Sequence, residues 1–125
     1  MSLTLIVIPT DKSDKKTLES FTEFLLSVIH LKEGESFNVP VQTKWKMFLY
    51  AGEYISEDIR KALPEYLLQG DSFDAFEMFR RSPKGYSISP RLFKGEIQVE
   101  EHSLMPVFFD SMKVTPMLDG FIEND

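Results

Sequence analysis

Leu18-Glu-Ser-Phe-Thr-Glu-Phe-Leu-Leu-Ser-Val-Ile29 places Leu18, Phe21, Leu25, Val28 and Ile29 at i, i+3, i+7, i+10 and i+11. That spacing is one face of an α-helix. Phe24 and Leu26 widen the face, and Glu19 and Glu23 lie opposite it. A polar stretch from Thr10 to Ser13 offers N-caps, and Gly34 suits the left-handed residue that closes a helix. The pattern predicts one long N-terminal helix over about residues 14–32.

Before that helix, Leu3, Leu5, Ile6, Val7 and Ile8 form a short, β-branched apolar run that Pro9 ends, which reads as a strand buried on both faces. After it, Val41, Thr43, Trp45, Met47 and Leu49 alternate with Gln42, Lys44 and Lys46, the period of a half-buried strand. Ser56 followed by Glu57 and Asp58 is a helix start, with an oxygen for an orphan amide and two acids at the positive dipole end. Pro64 then implies either a kinked helix or a new one beginning at the proline and stopping at Gly70. Phe73, Phe76 and Phe79, three apart and followed by Pro83, fit a further helical stretch or a strand. Beyond Gly85 the signals are short β segments at 86–88, 96–99, 105–109 and 112–114, interrupted by Pro90, Pro106 and Pro116. The sequence therefore predicts an α+β fold. Residues 1–125 form a single compact domain in which a mixed or antiparallel sheet packs against one long N-terminal helix and one or two shorter helices.

The 125 residues are 42% apolar and 27% charged, ordinary for a globular domain. The absence of cysteine excludes disulfides, thiolate nucleophiles and thiolate metal sites. The apolar run at the N-terminus is too short for a signal peptide or a membrane span, so a cytoplasmic location is expected. The net charge of −6 is unevenly spread. Residues 51–79 carry seven acids against Arg60 and Lys61, residues 80–94 carry five bases and no acid, and residues 95–125 carry seven acids against Lys113.

Catalytic signatures are missing. His30 ends an apolar face, where a helix C-terminus favours it, and His102 follows Glu100 and Glu101 without the ligand spacing of a zinc site. There is no G-x-S-x-G, P-loop, G-x-G-x-x-G or HExxH. Adjacent carboxylates such as Glu57-Asp58 splay around a helix rather than converge on a substrate. The expectation is a protein that is not an enzyme and uses no metal or cofactor.

Two charged surfaces remain as candidates. Glu57, Asp58, Asp71, Asp74 and Glu77 would suit a basic partner, because complementary potential speeds association and selects the partner. A small acidic domain without catalytic groups fits a non-enzymatic protein-binding module, most specifically an inhibitor or immunity protein that blocks a basic partner such as a nuclease toxin. The alternative is a nucleic-acid-binding regulator, with Arg80, Arg81, Lys84, Arg91 and Lys94 on phosphates and Tyr86 and Phe93 as stacking platforms. A third reading is a phage or virion assembly component, in which some of the eleven phenylalanines and six methionines form a subunit interface. The chain is expected to be a monomer or homodimer that stays off membranes.

Overall fold

The apolar run at the start of the chain needs hydrogen-bond partners on both sides, since its backbone is withdrawn from water. In the computed structural model, which describes residues 3–21, 27–70 and 72–125, it is strand β1 (Leu3–Ile8), buried along its whole length. Strand β2 (Ser27–His30) and strand β3 (Trp45–Tyr50) flank it, both parallel to it. The remaining strands are β4 (Tyr54–Ile55), β5 (Ala75–Ser82), β6 (Gly85–Lys94) and β7 (Val114–Glu123). They complete a mixed sheet in the order β2-β1-β3-β6-β5-β7-β4, curled into a half-barrel. β6 is antiparallel to both β3 and β5, and β7 runs parallel to β5 and antiparallel to β4.

This architecture overturns the predicted α+β fold with a long N-terminal helix. Strand accounts for 41% of the chain and helix for 15%. Helix α1 is a short segment, Lys15–Glu19, and Ser27-Val-Ile-His30 is a strand pairing Thr4 with Ser27 and Val7 with His30. Phe24, Leu25 and Leu26 of the predicted helix lie outside the described residues. The helical spacing is outvoted because a helix at residues 27–30 would leave the outer edge of buried β1 without hydrogen bonds. Val28 and Ile29 are β-branched and fit an edge strand, with Ile29 packed on the core and Val28 exposed.

The longer helix is α2 (Glu57–Tyr66), which runs through Pro64 as one element rather than breaking there. Its cap is the predicted one, with Ser56 Oγ accepting from the Ile59 amide at 3.3 Å. The phenylalanine-rich stretch is strand β5, not helix. Residues 96–99 and 105–109, read as strands, form a long covering segment joined by an isolated bridge between Val99 and Pro106.

Alternation along β1 and β3 builds two cores. Leu3, Leu5, Val7, Trp45, Met47 and Leu49 face α2, meeting Ile59 and Leu63, and the Trp45 indole donates to the Leu67 carbonyl at 2.9 Å. Ile6, Ile8, Phe48 and Phe93 face the other way, under Leu31, Phe37, Val99 and Leu104 from the covering segments. Lys46, read as solvent-facing, lies on this second face and is buried. Its ammonium donates to the Ile97 carbonyl at 2.6 Å. Burial pulls its pKa below the ordinary lysine range, against the opposing effect of Glu96. Asn38 clamps the same segment, donating to Val99 O at 2.8 Å and accepting from Val99 N at 2.9 Å. No helix is long and apolar enough to cross a membrane among the described residues.

Ser56 joins the helix to the sheet, because its Oγ also accepts from the Phe121 amide of β7 at 3.2 Å. Ser56→Ala is expected to cost about 1–2 kcal/mol, measured as a lowered urea midpoint. An unchanged midpoint would show that neither bond stabilises the fold.

Candidate functional site

Two irregularities in the pairing of β5 shape the surface. On the β7 side, Met78 pairs with Met117 and Arg80 with Ile122, so Leu118 to Phe121 stand opposite Phe79 alone and bulge out of the strand. A bulge re-aims side chains and bends its strand. This one approaches the start of α2 so closely that a Cβ on Gly120 would collide with Ser56 Oγ, which is why a residue without a side chain sits there.

Between the bulge and α2 runs a groove of about 650 Å3, lined by Asp58, Lys61, Glu65, Arg81, Leu118 and Asp119 among others. Its two cations are already engaged from outside. Lys61 faces Glu57 one helical turn away at 3.2 Å, and Arg81 holds Glu123 in a bidentate pair. The Arg81 guanidinium also lies 4.3 Å from the centre of the Phe121 ring. Asp58, Glu65 and Asp119 give the groove its sign. Tyr66 donates its hydroxyl to Asp119, and burial followed by this carboxylate raises the Tyr66 pKa. Leu118 is 74% exposed at the rim.

The second irregularity lies on the β6 side, where Phe76 pairs with Leu92 but Glu77 with Pro90. Arg91 is the extra residue, and its side chain turns inward to Glu53. The carboxylate comes from the turn after β3, where Gly52 adopts φ +100°, a conformation open to glycine, and the Glu53 amide donates to Tyr50 O at 2.9 Å. Glu53 Oε1 accepts from Arg91 Nη1 at 2.7 Å and from the Tyr50 amide at 2.8 Å. Its Oε2 accepts from Arg91 Nη2 at 3.0 Å and from Arg80 Nε at 2.6 Å. Arg91 is completed by Ser89 Oγ at 3.0 Å and the Phe48 carbonyl at 3.2 Å. Glu53 and Arg91 side chains are 2% and 5% exposed, whereas Arg80 is 27% exposed. Burial works to raise the Glu53 pKa, but the Arg91 bonds and charge, the Tyr50 amide and Arg80 outweigh it and hold it below the ordinary carboxylate value.

The predicted acidic set does not form one face. Glu57 and Asp58 sit in the first turn of α2, and Asp58 alone of the set lines the groove. Asp74 is an internal fastener that accepts from the Lys113 amide at 2.9 Å and faces Lys94 at 3.4 Å. The Lys113 amide is the main cause of its lowered pKa. Glu77 lies half-buried in β5, opposite Pro90 and Pro116, and Asp71 lies outside the described residues. The predicted basic set is also divided. Arg80 and Arg91 converge on Glu53, Arg81 binds Glu123, Lys94 faces Asp74, and Phe93 is buried in the core. Lys84 stands at the β5–β6 turn, and Tyr86 is exposed beside the Phe121 ring, with centroids 5.7 Å apart. Glu53 and Glu65 belong to the acidic stretch at 51–79 but are not among the predicted site residues, and Asp119 is not singled out. Gly52 before Glu53 and the Asp-Gly pair at 119–120 are the local turn signals beside them.

Elsewhere, His30 Nδ1 lies 3.2 Å from Asp14 Oδ2, and His102 meets Phe37 edge-on at 5.4 Å. No family model matches the chain, and no curated protein matches it.

The depressed Glu53 pKa has a defined sign. The stabilisation is present above the unfolded glutamate value of about 4.3 and is lost as pH falls through the lower folded value. Glu53→Gln is expected to cost about 3–5 kcal/mol at pH 7, because Arg91 is left buried without its counter-ion. Its stability should also fall less steeply than that of the wild type between pH 5 and 3. Denaturant melts across that range check both, and parallel acid limbs would contradict the role given to Glu53.

Proposed function

We propose that the protein is a non-enzymatic protein-binding module that captures a basic partner in the acidic groove between α2 and β7. The observation that carries this reading is the groove's charge arrangement. Its lysine and arginine are paired to acids outside the lining, while Asp58, Glu65 and Asp119 face a wide concave surface with Leu118 exposed at the rim. Carboxylates lining the groove supply a potential complementary to a basic partner, and Leu118 at the rim adds an exposed apolar contact. Steering by such a field raises association rate more than it lowers dissociation rate. An inhibitor or immunity protein directed at a basic enzyme, such as a nuclease toxin, is the functional class that combines these features.

The test is a pull-down from the native host with the wild type and with Asp58→Lys/Glu65→Lys, whose folding is checked by thermal unfolding. A basic partner is expected with the wild type, and its measured association rate should fall about tenfold or more in the variant and with rising salt. A partner whose binding ignores both the charge reversal and ionic strength would sink the reading.

A further inference from the structure

A single carboxylate, Glu53, faces two guanidinium groups, and this leaves one positive charge at a partly buried site in a chain of net charge −6. The surplus is directed. Arg91 is buried and spends four of its five N–H donors on Glu53, Ser89 and Phe48, whereas Arg80 uses its Nε on Glu53 and its two terminal nitrogens donate to no protein acceptor among the described residues. The Nε bond tethers the guanidinium to Glu53 and restricts its orientation. An arginine held this way presents a prearranged fork, the geometry that suits the paired oxygens of phosphate and carboxylate.

Arg80 and Arg91 line a cleft of about 380 Å3 together with Thr10, Lys12, Tyr50 and Asn124. Thr10 and Lys12 follow the carboxyl end of β1, and Tyr50 ends β3. The cleft opens where β1 and β3 end, and its volume is within the range of small-molecule sites. Lys12 and Arg80 are shared with an adjoining hollow that Lys84 also lines. The acids of this region are Asp11, Glu53 and Asp125. Glu53 is consumed by the arginines, and Asp125 is bound by Lys16 and Tyr54. Lys12 spends hydrogen bonds on Asn124 and the Asp125 carbonyl but keeps its charge at the cleft.

We infer that this cleft binds the phosphate or carboxylate group of a small organic anion, with Arg80 as the bidentate contact and Lys12 and Lys84 as flanking charges. The site is separate from the acidic groove and does not rest on the partner reading.

The experiment follows backbone amide and Arg80 Nε resonances while inorganic phosphate, and separately malonate, is titrated into the full chain at low chloride. Saturable shifts are expected around Tyr50 to Glu53 and Arg80, with the tighter probe identifying which oxyanion the site prefers. Arg80→Gln should weaken binding about tenfold and Arg80→Lys should restore only part of it, because a lysine lacks the fork. Lys113→Gln, at the opposite end of β5, should leave affinity unchanged. Thermal unfolding confirms that each variant folds, and Lys12→Gln/Lys84→Gln, which leaves the Glu53 cluster intact, should weaken binding on its own. Undiminished binding by Arg80→Gln, or no saturable shift with either anion, would overturn the proposal. So would binding of a labelled single-stranded oligonucleotide through Arg80 when neither small anion binds.

Discussion

Strand β1 is buried on both faces and along both edges, and most of the architecture follows from satisfying it. Six consecutive buried residues carry backbone donors and acceptors that water cannot reach, and each group left unpaired would cost as much as a lost hydrogen bond. β3 satisfies one edge over the full length of β1 and β2 satisfies most of the other. Placing both partners parallel to β1 forces the chain to cross back twice. The first return carries α1, and the second covers the outer face with Leu31 and Phe37. The carboxyl ends of three strands thereby converge, and the cleft beside Arg80 opens next to them.

The middle of the sheet is organised differently, around β5. Its neighbours each depart from regular register, in opposite senses. On the β6 side the extra residue is Arg91, which the bulge turns inward, where it would be too costly to bury without Glu53. On the β7 side the extra residues are Leu118 to Phe121, which are pushed outward against α2 and wall the acidic groove. A regular strand in either place would have removed the corresponding surface. The Glu53 carboxylate then ties the turn after β3 to both β5 and β6, so the local irregularity is held by long-range charge-assisted bonds rather than by its own loop. The same ties leave Arg80 partly uncompensated, which links the stability of this corner to its capacity for an anion.

Parts of this were legible in the residues. Leu3–Ile8 read as a doubly buried strand and Ser56 as a helix cap, because each depends on a pattern contained in the segment. The alternating half-buried strand read over Val41–Leu49, by contrast, is strand only from Trp45 onward and is buried on both faces. The stretch from Leu18 to Ile29 misled, since apolar residues three and four apart describe a helix face while the same residues at 27–30 satisfy a strand edge. Lys46 misled for a related reason. Its position in the alternation placed it opposite Trp45 and Met47, but nothing local shows that residues 95–104 fold back over that side and supply a carbonyl to its ammonium. The candidate sites were the least legible. Asp58 was named from its place in the first turn of α2, yet Glu65 and Asp119 join it only because α2 packs beside the bulge of β7.

The sequence by itself determined a cysteine-free chain with an acidic excess, a basic stretch between acidic ones and a doubly buried first strand, since these are properties of composition and short-range pattern. Tertiary structure alone decided that the chain is mostly sheet, that Arg80 and Arg91 share Glu53, and that Phe93 is core while Tyr86 is surface. Those outcomes depend on which distant segments satisfy a buried backbone edge or a buried charge. The free energy of a desolvated hydrogen-bonding group or ion is large enough to override local preference, and it is settled between residues that lie far apart in the chain.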